Sequence, residues 1–207
     1  MKRMLALSLS ILLTFSLLAG CANSANNSQP KIAGMSLSAS QQEVVDLISN
    51  LNHEILLFEY NLGDALNVID IWVEIYHYGE YLGEVARLLV IGDQLVPLKD
   101  DRLAIEINQS GNNEYRWTIF SQGVRSSGDS WFAEYEIKAR GYGSLTDPVS
   151  ISSGQEIILY LSMLTTDSSI RTINDLQYYL ENLEELADYT YVHVIKARFS
   201  EKQQLIY

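Results

Sequence analysis

The sequence predicts an antiparallel β-sandwich, immunoglobulin-like in type, with one or two short helices. Three observations predict it. Apolar residues alternate with polar ones over several short stretches, the mark of half-buried strands. Turn residues separate these stretches at roughly hairpin spacing. No segment has the strand–helix–strand rhythm of a parallel nucleotide-binding sheet. The alternative is an α+β arrangement, because one clear helical pattern feeds directly into the last strand.

The elements follow in chain order. Ser40-Gln41-Gln42-Glu43 has the form of a capping box. Val44, Val45, Leu47, Ile48 and Leu51 follow at helical spacing, so a helix is expected over 41–51. From His53 the period falls to two, with Leu56, Phe58, Tyr60 and Leu62 on one side. The cleanest strand comes next. Ile69, Ile71, Val73 and Ile75 make an apolar face, and Asp70, Trp72, Glu74 and Tyr76 make the other. Tyr78-Gly79 suits a tight turn. Gly92-Asp93 is a further turn signal.

Leu103, Ile105 and Ile107 alternate, Ser110–Asn113 is a hairpin loop, and Tyr115, Trp117 and Ile119 return. Gln122 to Ser130 is polar and reads as a loop. Trp131, Ala133, Tyr135 and Ile137 read as a strand with Glu134, Glu136 and Lys138 on its wet face. Gly141 to Gly154, with Pro148, reads as loop. Glu156 to Leu164 is a mostly apolar strand. Asp175 to Leu186 places Leu176, Tyr179, Leu180, Leu183 and Leu186 on one helical face. Tyr191, His193, Ile195, Ala197 and Phe199 alternate in the final strand.

The chain has 207 residues, one cysteine and a formal net charge of −12. One cysteine excludes an internal disulfide and a multi-cysteine zinc site. The acidic balance makes the chain a poor partner for nucleic acid, whose phosphates call for clustered Lys and Arg. The first residues form an address. Lys2-Arg3 is a basic start, and Met4 to Leu18 carries no charge. That run is shorter than the roughly 20 apolar residues a spanning helix needs, and it fits a secretory signal. It ends in Leu18-Ala19-Gly20-Cys21.

This ending resembles the lipobox of bacterial lipoproteins. The resemblance covers residues 1–21 and implies cleavage between Gly20 and Cys21, with a diacylglyceryl group on the Cys21 sulfur. The expected organisation is therefore a signal peptide over 1–20, a lipid-anchored flexible tether over 21–39 and a single sandwich-like domain over 40–207. The tether, rich in Asn, Ser and Ala, would span roughly 20–24 Å. Loss of Lys2 and Arg3 makes the body more acidic, so it stands off anionic headgroups. The expected place is the extracytoplasmic face of the cell membrane. Tyr76-His77-Tyr78-Gly79 within its apolar hairpin resembles uncharacterised lipoproteins of Gram-positive bacteria, a resemblance that implies no activity.

Chemistry is hard to place. There is no G-x-S-x-G elbow, no phosphate loop and no H-E-x-x-H. His53, His77 and His193 stand far apart in sequence, read as independent histidines, and no metal or cofactor is expected. Asp100-Asp101 reads as a charged turn. Glu134 and Glu136, about 7 Å apart on one strand face, match the spacing of an inverting glycosidase. They also match any solvent face. Trp72 and Tyr76 share a strand face and would lie about 13 Å apart, a row that could stack on a sugar or a protein. The competing reading buries both faces of that strand. The expected function is a non-catalytic binding module for a protein or glycan of the cell envelope, using loops such as 122–130 and 141–148. An envelope carbohydrate hydrolase using Glu134 and Glu136 is the alternative.

Overall fold

The computed structural model describes residues 29–49, 52–63, 65–92, 98, 100–110, 114–132, 135–171, 173 and 175–201. Cys21 and the whole expected signal peptide lie outside the described residues. Two antiparallel sheets face each other as a β-sandwich. In chain order the strands are β1 (Lys31–Gly34), β2 (His53–Asn61), β3 (Val68–His77), β4 (Glu80–Ile91), β5 (Asp101–Gln109), β6 (Glu114–Ser121), β7 (Val124–Trp131), β8 (Ala139–Ser144), β9 (Val149–Ser150), β10 (Glu156–Thr165) and β11 (Tyr191–Ser200). One sheet has the order β7-β6-β5-β2-β1-β9 and the other β4-β3-β11-β10-β8.

The core lies between the sheets. The period-two residues read from sequence fill it: Phe58, Ile71, Val73, Ile105, Trp117, Ile119, Ile195 and Phe199 are all buried. Tyr78-Gly79 makes the tight β3–β4 turn, with φ of 47° and 79°. Gln122-Gly123, at 52° and 74°, makes a second turn of the same hand between β6 and β7. Both suit the right-handed twist of a two-residue hairpin.

Several expectations need correction. The segment 21–39 is not all tether. Lys31–Gly34 pairs with both β2 and β9, and Ile32 is fully buried. Four residues are too few to show a period, so only the pairing reveals them. The helix runs over Ala39–Ile48, capped by Ser38 with Gln41 rather than by Ser40 with Glu43. It buries none of its residues, and Leu47 is 79% exposed. The polar run 122–130 is mostly strand. β7 is small and polar because β4 closes on it there. A Cβ on Gly128 would sit 1.5 Å from the Val85 carbonyl oxygen. The strand expected over 131–137 ends at Trp131. Residues 135–138 lie outside any strand, between β7 in one sheet and β8 in the other.

The glycines of 141–154 do not all mark loop. Gly141 and Gly143 belong to β8, and a Cβ on either would crowd Ile170 or Ile173, which pack over that face. The helix expected over 175–186 is two shorter pieces, an α-turn at Tyr178–Glu181 and a 3-10 helix at Leu183–Asp188. They lay Leu176, Tyr179 and Leu186 onto the sheet and add no separate layer, so the molecule is a sandwich and not α+β.

Candidate functional site

The aromatic row does not form a platform. Trp72 and Tyr76 are 3% and 6% exposed. They lie on the outer face of their sheet, beneath a lattice of charges. The Trp72 ring has the guanidinium carbons of Arg87 and Arg198 at 5.6 and 5.3 Å. Its Nε1 donates to Glu74 Oε1 at 2.7 Å, and the Tyr76 hydroxyl donates to Glu74 Oε2 at 2.6 Å. Lys196 Nζ lies 2.9 Å from Glu74 Oε2. Asp70 Oδ2 accepts from both Arg87 and Arg198 at 2.8 Å. Both Glu74 oxygens and both Asp70 oxygens are taken by neighbours and the two rings are buried, so the face is structural and offers no stacking surface.

The glutamate pair fares no better. Glu134 lies outside the described residues, and Glu136 sits in the segment that is not strand. Asp100 and Asp101 accept backbone N–H groups of Leu62 and Gln122, as a charged turn would. Among the described residues no group of His, Cys, Asp and Glu side chains is arranged to hold a metal ion.

The candidate site is a cavity of about 580 Å³ between the sheets, at the end where β2 begins and β5 ends. That size suits a small ligand. Strand register builds it. Ser162 of β10 pairs with His193 of β11 on one side and Tyr142 of β8 on the other, so all three point inward. Arg140 and Tyr160 share that parity. From the opposing sheet come Glu54, Gln109, Tyr115 and Trp117. Inward positions that would be apolar in an ordinary sandwich are here polar or aromatic.

The chemistry is uneven across the cavity. Tyr160 donates to Glu54 Oε2 at 2.9 Å. Burial raises the Glu54 carboxyl above its ordinary range, and the Tyr160 hydrogen bond offsets part of that. The exposed Tyr142 ring stacks on Tyr160, with centroids 6.5 Å apart and planes 19° apart. Arg140 donates to Gln109 Oε1 at 2.6 Å, and its guanidinium carbon lies 6.0 Å from the Tyr115 ring centroid. Among the described residues it has no carboxylate partner. His193, packed on Tyr115 and Trp117 at 5.2 and 4.6 Å, has no hydrogen-bond partner at either ring nitrogen. The Tyr115 hydroxyl has none either. Burial, and then the Arg140 charge, push the His193 imidazole down to about 3, so it is neutral. Buried polar atoms without partners are rare and costly in proteins.

Of the other two histidines only His53 has hydrogen-bond partners at its ring among the described residues, and His77 Nε2 is buried without one. His53 places Nδ1 2.7 Å from the Ile48 carbonyl oxygen and Nε2 2.9 Å from Glu106. His77 stacks on Tyr191 at 4.7 Å. Sequence reading missed Glu54, Arg140, Tyr142, Tyr160 and His193 as site residues. Parity was the available signal for two of them. Glu54 falls in step with Leu56 and Phe58, and His193 with Ile195 and Phe199, on faces otherwise committed to the core. No protein-family model matches this chain, and no curated protein or solved structure matches it either.

Proposed function

We propose that the chain is an extracytoplasmic lipoprotein, held to the cell membrane through a lipid on Cys21, whose sandwich is a non-catalytic binding module. The ligand sits in the end cavity. One observation carries this reading: a cavity large enough for a small molecule is lined by convergent polar and aromatic side chains, Glu54, Arg140, Tyr142 and Tyr160 among them. Non-catalytic binding suits the cavity's chemistry. Glu54 is the only carboxylate among the described lining residues, and most glycoside hydrolases use two. Anchoring by lipid is the reading that fits the lipobox. Among the described residues no helix is long and apolar enough to cross a membrane.

The anchor is tested by mass spectrometry of the processed chain. Lipid on residue 21, lost in Cys21→Ala, is the expected result, and an unmodified residue 21 overturns the anchor. Binding is tested by thermal shift with a panel of sugars, amino acids and nucleosides. A shift that Tyr142→Ala weakens supports the module, and silence across the panel overturns it. Turnover of cell-wall glycans that Glu54→Gln abolishes would make the protein an enzyme instead.

A further inference from the structure

The cavity's unpaired donors fall in one group. The Arg140 guanidinium lies against the Tyr115 ring, and that ring packs on His193. Arg140 has N–H groups beyond the one given to Gln109, Tyr115 has an unspent O–H, and a neutral imidazole always carries one N–H. Arg140 is the one of the three that is exposed, and its spare N–H groups call for an acceptor with several lone pairs. A carboxylate has about four such sites and meets a guanidinium in matching geometry.

The charge balance narrows the choice. Arg140 is the only cation lining the cavity among the described residues, apart from the histidines, and Glu54 is an acid in the same space. With Arg140 the single matching cation, a dianion such as a phosphate monoester leaves one more uncompensated charge than a monoanion. The rest of the lining asks for something else. Tyr142 offers an exposed ring face at 69% exposure, and Glu54, Ser162 and Asn52 supply short-range hydrogen bonding. Aromatic faces with polar side chains suit a hydroxylated ring, which presents C–H groups to the ring and O–H groups to its neighbours.

From this juxtaposition we infer that the cavity binds a carboxylated sugar of the hexuronate class. Its carboxylate meets Arg140 beside the Tyr115 ring, and its hydroxylated ring lies by Tyr142 and Glu54. The inference rests on the binding-module reading and adds the ligand's class to it.

The test is calorimetric titration of the full chain in detergent with D-galacturonate and D-glucuronate. D-Galactose and D-glucose supply the same rings without the carboxylate, and acetate supplies the carboxylate without the ring. At least one uronate should bind saturably, and at least about tenfold tighter than its matching hexose, the scale of one charged hydrogen bond. Arg140→Gln should erase that advantage, and Tyr142→Ala should weaken uronate and hexose alike. Should Arg140→Gln fail to fold, the wild-type comparison of uronate with hexose decides alone. Hexose binding as tight as uronate overturns the inference and leaves the module standing, as does acetate matching the uronates. Silent uronates beside another panel compound that shifts unfolding also overturn the inference alone. Silence from every compound overturns both.

Discussion

Replacing His193 with phenylalanine should flatten the acid side of the stability curve. In the fold the imidazole is completely enclosed, and burial with the Arg140 charge holds it down to about 3. In the unfolded chain it titrates near its ordinary value, about 6.5. The unfolded state therefore takes up a proton that the fold refuses. The penalty is absent above the unfolded value and grows as pH falls from about 6.5 toward 3. Each pH unit inside that window is worth about 1.4 kcal/mol, so descending from pH 7 to pH 5 should cost the wild type about 2 kcal/mol through this group. His193→Phe keeps an aromatic ring against Tyr115 and Trp117 and has nothing to protonate. It also removes two unpartnered nitrogens, so at pH 7 it should be at least as stable as the wild type. Urea unfolding of both proteins at pH 7, 6 and 5 measures the difference. Every other residue is common to the two proteins, so the difference between their curves isolates position 193. Curves that run parallel from pH 7 to pH 5 would refute the enclosure of His193.

Lys196→Met should cost about 3–5 kcal/mol at pH 7, because it strands the buried Glu74 carboxylate. Burial works to raise Glu74, yet bonds from Tyr76, Trp72 and Lys196 outweigh it and hold the group low. Stability from a lowered carboxyl is present above its unfolded value and lost below it. The deficit should therefore shrink under urea unfolding as pH falls below about 4, and a deficit constant with pH contradicts the pairing. Ile32→Ala should cost about 2–5 kcal/mol, and an unchanged melt would return residues 31–34 to a tether. Gly128→Ala should cost about 1–3 kcal/mol or more by forcing β7 off β4. An unaltered thermal transition would show that the two strands do not touch there.

The same site was only partly legible beforehand, and particular residues show why. The strands around Phe58, Ile71, Ile105, Trp117 and Ile195 were readable because each alternates cleanly, and alternation reports which side chains share a face. The Tyr78-Gly79 turn was readable because few dipeptides tolerate left-handed backbone at both positions. Alternation does not report what covers a face. The pattern at Trp72 and Tyr76 admits a stacking row but favours burial, since such rings routinely close sandwich cores. Arg87, Arg198 and Lys196, brought in from neighbouring strands, decided for burial.

The sequence by itself determined the fold class, most of the strands and the acidic balance, because each is a local property of composition or spacing. Tertiary structure decided the rest. Whether 122–130 was loop or strand depended on its pairing with β6, and a Gly at 128 lets β4 of the other sheet close on it. Whether His193 was a half-wet histidine or a buried one depended on Tyr115, Trp117 and Phe132 closing around it. The cavity joins Glu54 and Tyr160, which are 106 residues apart. A meeting across that distance is set by sheet pairing, and pairing is a relation between strands that no single stretch of sequence encodes.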